Sequence, residues 1–125
     1  MDDNHSLDPR LEVNMCGLKL QSPLVLLSGC VGFGEEYTRI EGFSNTDVGA
    51  VCLKGTTLEA RLGNAAHRVY ETPGGMLNAI GLQNPGARAV VDEILPRLDF
   101  NETRFIANVS GSTVEEYAEV TRIFD

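Results

Sequence analysis

The chain predicts an α/β fold organised around a parallel sheet, and three observations carry that expectation. Short, continuously apolar runs recur at Leu24-Val25-Leu26-Leu27, Gly49-Ala50-Val51-Cys52-Leu53 and Phe105-Ile106-Ala107. Each passes directly into small or polar residues: Ser28-Gly29, Lys54-Gly55 and Asn108-Val109-Ser110-Gly111. Helical patterns fall between and after these runs. A run that is apolar throughout reads as a strand buried on both faces, the usual state of strands in a parallel sheet. Strands alternating with helices form the βα repeat that builds such a sheet.

Residues 1–10 read as a flexible leader, and residues 11–125 as one domain. Residues 11–15 and 18–21 flank Cys16-Gly17 with alternating apolar positions, the pattern of a short β-hairpin. The first apolar run then forms the first sheet strand. Glu35 to Ile40 follows as a helix, with acids in its first turn where the helix dipole favours them. The second apolar run ends at Lys54. Residues 56–84 are too long for an ordinary βα connection, and such loops tend to be functional or to carry local structure. Within them, Val69-Tyr70-Glu71-Thr72 suits an edge strand. Residues 87–98 place Val90, Val91, Ile94, Leu95 and Leu98 at helical spacing. A last helix starts at Thr113, with Ser112 or Thr113 as its cap and acids in the first turn.

Two architectures accommodate these units: a doubly wound sheet of five or six strands, and an eight-stranded βα barrel of about 250 residues. Three core strands, with a last helix running to Asp125 without a stop signal, point to part of a larger barrel.

Composition narrows the function classes. The 125 residues carry a formal net charge of −8, against the basic surface that nucleic-acid binding requires. No apolar run approaches the roughly 18 residues of a spanning helix. The acidic, polar start Met-Asp-Asp-Asn-His-Ser is unlike a secretory signal, so a cytoplasmic protein is expected. Cys16, Cys30 and Cys52 are widely spaced, which suits reduced thiols and gives no metal-ligand pattern. Each is expected to be a small buried apolar residue. His5 and His67 lack a neighbouring acid–nucleophile pair. Gly29-Cys30-Val31-Gly32-Phe33-Gly34 lacks the Gly-Lys-Ser/Thr ending of a phosphate loop.

Chemistry is expected beyond the carboxyl ends of the strands, where ligands bind in both parallel architectures. Ser28, Lys54 and Asn108 stand there. Lys54 follows an apolar strand and precedes a glycine, so its ammonium meets an anion or electron-rich ligand, or else snorkels to water. Ser28 and Asn108 read either as ligand contacts or as turn residues. The uncharged stretch Pro73 to Gly86 interleaves four glycines with Asn78, Gln83 and Asn84. It reads as an irregular loop: glycines permit close backbone approach, and the amides suit a planar hydrogen-bonding ligand or cap turns.

Several pieces, in order, resemble one family. They are Ser28-Gly29-Cys30-Val31-Gly32-Phe33-Gly34-Glu35-Glu36-Tyr37, Lys54-Gly55-Thr56-Thr57-Leu58, Arg61-Leu62-Gly63-Asn64, Arg68-Val69, Gly75 to Gly86, and Ile106-Ala107-Asn108-Val109-Ser110-Gly111. Together they resemble the class 1 dihydroorotate dehydrogenases, and within them the NAD-linked (class 1B) catalytic subunit.

The resemblance implies the N-terminal part of a TIM (β/α)8 barrel. It would carry a short N-terminal hairpin, a long insertion after the second barrel strand, and FMN at the C-terminal face. It implies that Ser28, Lys54, Gly55 and Asn108 contact the flavin. Lys54, Asn78, Ala79, Ile80, Gly81 and Leu82 would hold dihydroorotate or orotate. The family's base is a cysteine in an Asn-x-Ser-Cys-Pro-Asn loop, expected beyond Asp125, so no catalytic base and no metal ligand falls in these residues and the chain alone is expected to be inactive. Implied partners are an electron-transfer subunit with FAD and a 2Fe–2S cluster, and a second catalytic subunit in a homodimer. The competing readings are a dihydropyrimidine dehydrogenase-like flavin domain and a non-catalytic truncated product.

Overall fold

Cys16-Gly17 turns the chain back on itself because both residues take left-handed backbone, φ +51° and +93°. Two consecutive positive φ values make the tight turn whose twist matches that of flanking strands. The Asn14 side chain secures it by accepting from the Gly17 N–H at 2.7 Å. The result is the expected hairpin of β1 (Val13–Met15) and β2 (Leu18–Leu20), with Val13 opposite Leu20. Described here is a computed structural model covering residues 7–125, so His5 and most of the proposed leader lie outside the described residues. Before β1, Asp8 caps a single 3-10 turn, Pro9–Leu11, and the Arg10 guanidinium beside it lowers its carboxyl pKa.

The chain divides into two compact units, the first formed by residues up to 54 with 94–108 and the second by 55–93 with 109–125. In the first unit, β3 (Val25–Leu26), β4 (Ala50–Cys52) and β7 (Arg104–Ile106) form a parallel sheet with β4 in the middle. Val51 lies opposite both Leu26 and Phe105. The fold is therefore mixed α/β with a parallel sheet. The core gathers Val31, Val48, Val51, Leu53 and Leu98, with Phe33, Phe43, Leu95 and Phe105 packed against it. Only β4 meets the expectation of burial on both faces, Ala50 and Val51 being fully buried. The Leu24–Leu27 run departs from it: only Val25 and Leu26 pair as strand, and Leu24 and Leu27 are 61% and 67% exposed. Leu53 carries the tail of β4 into the core at 2% exposure. Leu53→Ala is expected to cost about 2–5 kcal/mol, through lost burial and the cavity left behind. Denaturant unfolding of the natural protein checks this, and a loss below ~1 kcal/mol contradicts the packing described.

Three expectations are corrected here. The helix expected at residues 35–40 is only one 3-10 turn, Tyr37–Arg39. Left-handed glycines at 32, 34 and 42 bracket it, and seven residues between such breaks cannot offset the cost of nucleating a helix. The Glu36 carboxylate turns back to accept from the Phe33 N–H. Residues 87–98 do form a helical stretch with Val90 and Leu98 buried, but it is not one regular helix. It runs as α1 (Ala87–Ala89), a π turn (Val90–Ile94) and a 3-10 turn (Leu95–Arg97). Pro96 is the cause, since it lacks an N–H and its ring opposes the carbonyl four residues earlier. Finally, Cys16 and Cys30 are exposed and Cys52 half-buried. The left-handed turn at Cys16 and the open turn at Cys30 leave neither thiol a core to enter.

In the second unit, β5 (Val69–Thr72) pairs antiparallel with β6 (Gly75–Asn78), Tyr70 opposite Leu77. The strand at 69–72 was expected. Its partner departs from the sequence expectation, in which residues 75–78 belong to an irregular loop. The tight Pro73-Gly74 connection brings Met76 and Leu77 alongside β5, and pairing overrides the local preference of the glycines. α2 (Val114–Phe124) is capped by the Thr113 hydroxyl, which accepts from the Glu116 N–H at 3.2 Å.

Candidate functional site

Ser28, Lys54 and Asn108 each follow a strand of the parallel sheet by two residues, after Leu26, Cys52 and Ile106. Strand register therefore sets them together at the carboxyl ends, where the expectation placed them. All three are half-buried. The Asn108 Nδ2 donates to Ser28 Oγ at 2.6 Å, joining residues 80 apart in the chain. The Lys54 N–H donates to the Gly32 carbonyl at 2.8 Å, which anchors the residue against the turn following β3. Its ammonium reaches the same turn: a Cβ built on Gly29, where φ is +81°, would stand 3.4 Å from Lys54 Nζ. The cluster thus presents an ammonium, a hydroxyl and an amide, a donor set suited to the carbonyl and nitrogen edge of an electron-rich ring.

The second unit carries the other candidate residues. Asn78 ends β6, is exposed, and its side-chain amide makes no hydrogen bond among the described residues. Beyond it, carbonyls are taken up one after another. The Asn64 side chain donates to the Ala79 carbonyl at 2.8 Å, and the Asn64 N–H donates to that of Ile80 at 2.9 Å. The Asn84 amide donates to the Leu82 carbonyl at 2.9 Å. The N–H groups of Ile80, Gly81 and Leu82, by contrast, donate to nothing among the described residues. Three successive N–H groups without an internal partner are donors that a carboxylate could take up. Gly81 is required by this path, having φ +80° and Asn64 N only 2.7 Å from where a Cβ would stand. Gly55 is buried immediately after Lys54.

Of the three amides singled out in the Gly/Asn stretch, two serve the protein itself. Gln83 accepts from Arg68 Nη2 at 2.6 Å, and Asn84 is buried and fully bonded internally. Sequence reasoning gave Asn64 no individual role, and nothing in its Gly63-Asn64 context signals one. His67 is exposed, and no cluster of three metal-ligating side chains occurs among the described residues. A cavity of about 330 Å³ opens at the other end of the sheet, lined in part by Gln21, Gly49 and Arg104. Ligands of parallel sheets bind at the carboxyl ends, so the polar cluster is the better candidate.

A parallel α/β sheet with polar residues gathered at its carboxyl ends defines a protein of the βα class. Residues 10–125 match the family model described as dihydroorotate dehydrogenase, and the chain belongs to that family. It is 55% identical over 111 residues to the dihydroorotate dehydrogenase B (NAD(+)) catalytic subunit of Bacillus caldolyticus, covering 89% of this chain and 35% of the relative. It is 45% identical over 113 residues to the subunit of the same name from Caldicellulosiruptor saccharolyticus, covering 90% of this chain and 37% of that one. The chain thus spans about a third of the length of these relatives. A crystal structure of DHODH from Eimeria tenella in complex with ferulenol superposes with a TM-score of 0.64 at 20% identity, over 94% of this chain and 34% of that one. That likeness is one of fold. Among the described residues, no helix is long and apolar enough to cross a membrane.

Proposed function

We propose that this chain belongs to a cytoplasmic enzyme that oxidises (S)-dihydroorotate to orotate in pyrimidine biosynthesis, with electrons passing through FMN to NAD. The observation that carries the reading is the convergence of Ser28, Lys54 and Asn108 at the strand ends of a chain in this family. In this reading the parallel strands are the first of a (β/α)8 barrel, and residues 56–84 are an insertion after its second strand. The exposed Leu24 and Leu27 fit that architecture, which supplies neighbours on both sides of every strand.

FMN fits the residues present, since an ammonium, a hydroxyl and an amide, groups that can hydrogen-bond a flavin ring, converge at the strand ends. Ser28, Lys54 and Asn108 would hold the ring, and buried Gly55 would let the main chain approach it closely. FMN supplies the acceptor for the two electrons removed from the substrate. Lys54 stabilises negative charge on its ligands through its fixed ammonium. Asn78 hydrogen-bonds the pyrimidine edge, and residues 79–82 carry the substrate carboxylate on the Ile80, Gly81 and Leu82 N–H groups. Those three donors favour dihydroorotate over an uncharged dihydropyrimidine, which has no carboxylate to offer. None of Cys16, Cys30 and Cys52 is assigned the role of base. The name "catalytic subunit" borne by the relatives supports a separate electron-transfer subunit, assigned here FAD and a 2Fe–2S cluster, with the catalytic subunits paired as a homodimer.

Anaerobic mixing of the natural full-length protein with (S)-dihydroorotate is expected to bleach its flavin absorbance, and dihydrouracil is expected to leave it unchanged. Faster bleaching by dihydrouracil would overturn the substrate assignment. Ser28→Ala and Asn108→Ala should each weaken FMN binding. In a double-mutant cycle they should show a coupling of about 1 kcal/mol, the worth of one hydrogen bond. Strict additivity contradicts a shared role.

A further inference from the structure

Asn84 is only 5% exposed, and its side chain spends its whole hydrogen-bonding capacity within the protein. Oδ1 accepts from the Thr57 N–H at 3.1 Å and the Gly86 N–H at 3.0 Å. Nδ2 donates to Thr57 Oγ1 and to the Leu82 carbonyl, both at 2.9 Å. Its main chain pairs in both directions with Arg61, at 3.0 and 2.9 Å. A carboxamide offers two donors and two acceptor sites, so nothing remains for a ligand. Leu82, held by one of these bonds, has φ +53°, left-handed backbone that a bulky residue adopts only when its surroundings enforce it. Its own N–H and those of Ile80 and Gly81 are the unpaired donors described above.

We propose that Asn84 is a positioning residue: it clamps Leu82 in the left-handed conformation and so fixes the 80–82 donor row for the substrate carboxylate. The proposal rests on the dihydroorotate reading and extends it to a residue that touches no ligand. Asn84→Asp is the discriminating change. It keeps the size of the side chain and both acceptor bonds, but a carboxylate cannot donate to the Leu82 carbonyl and places negative charge against it. Leu82→Gly is the complementary change, because glycine takes positive φ freely and needs no clamp.

The test uses the natural full-length protein purified with FMN, titrated with orotate and followed by flavin absorbance. Asn84→Asp is expected to keep FMN at parental stoichiometry while the orotate Kd rises about 10- to 100-fold, the scale of a misplaced contact. In the Leu82→Gly background the same change should cost less than about threefold, since the two effects act through one backbone conformation. A merely structural Asn84 predicts the reverse pattern: FMN content and thermal midpoint fall, while the flavin-loaded fraction binds orotate within about twofold of the parent. That pattern, or an equal loss in both backgrounds, overturns the proposal. If Asn84→Asp does not fold, recovery of flavin-loaded protein in the double variant supports the clamp, and failure there overturns it. A parent that binds no orotate takes down the dihydroorotate reading and the proposal together. A parent that binds it, with a variant that binds equally well, takes down the proposal alone.

Discussion

Replacing Lys54 by alanine is expected to slow reduction of bound FMN by (S)-dihydroorotate by about 10²- to 10³-fold, the usual cost of removing one preorganised electrostatic donor from an active site. The prediction rests on how the lysine is held. Its main chain is tied to the Gly32 carbonyl, and its ammonium reaches the turn after β3, 3.4 Å from where a Cβ on Gly29 would stand. A charge held in that way does not have to be organised as the reaction proceeds. Lys54→Arg should restore little of the lost rate. The guanidinium is longer and planar, and the existing ammonium already lies only 3.4 Å from where a Cβ on Gly29 would stand. Anaerobic stopped-flow absorbance reads the rate directly, and FMN content measured beforehand separates loss of cofactor from loss of chemistry. A rate within about threefold of the parent would remove Lys54 from the site.

That lysine was readable from sequence because its context is simple. An apolar run passes straight into a charged residue, and strand register carries that residue to one end of the sheet. The same logic recovered Ser28 and Asn108, and a hydrogen bond between them now gives their common placement a physical form. The β1–β2 hairpin was equally open to reading, since Cys16-Gly17 sits between alternating segments and takes the two positive φ values such a turn needs. Pairing over long distance was hidden. Residues 75–78 follow Pro73-Gly74 and open on Gly75, so they read as loop until β5 lies beside them. Asn84 and Asn78 have the same side chain and lie six residues apart. One is saturated internally and the other keeps its amide exposed, and only the positions of Thr57, Leu82 and Gly86 make the difference. The break within residues 87–98 had a visible cause in Pro96, but apolar spacing alone does not register a missing N–H. The acids at 35 and 36 suited a helix start, yet the flanking glycines governed the outcome. Glu35 instead pairs with Arg97 at 2.6 Å, a partner 62 residues away.

Gly49→Ala should be the most damaging small substitution in the sheet, with an expected loss of about 3 kcal/mol or more, the upper end of overpacking costs. A Cβ there would stand 1.9 Å from the Ser22 carbonyl oxygen and 2.9 Å from its carbon. The obstacle is backbone, so no side chain can swing aside. Nor can the two segments separate cheaply. The Gly49 and Ala50 N–H groups both donate to the Leu24 carbonyl, and Ala50 and Val51 pair with β3 on one side and β7 on the other. Moving Ser22 would also disturb Gln21, whose amide reaches the carbonyls of Thr46, Val48 and Glu102. Close approach at Gly49 therefore sets the start of β4, and β4 carries Lys54 to its place. Gly74→Ala is the matched control, with open space around it and no positive φ, and is expected to change stability by less than about 0.5 kcal/mol. Denaturant midpoints of the two variants, measured side by side in the natural full-length protein, decide the matter. Equal midpoints would mean that β4 does not lie against Ser22, and the register that brings Ser28, Lys54 and Asn108 together would lose its anchor.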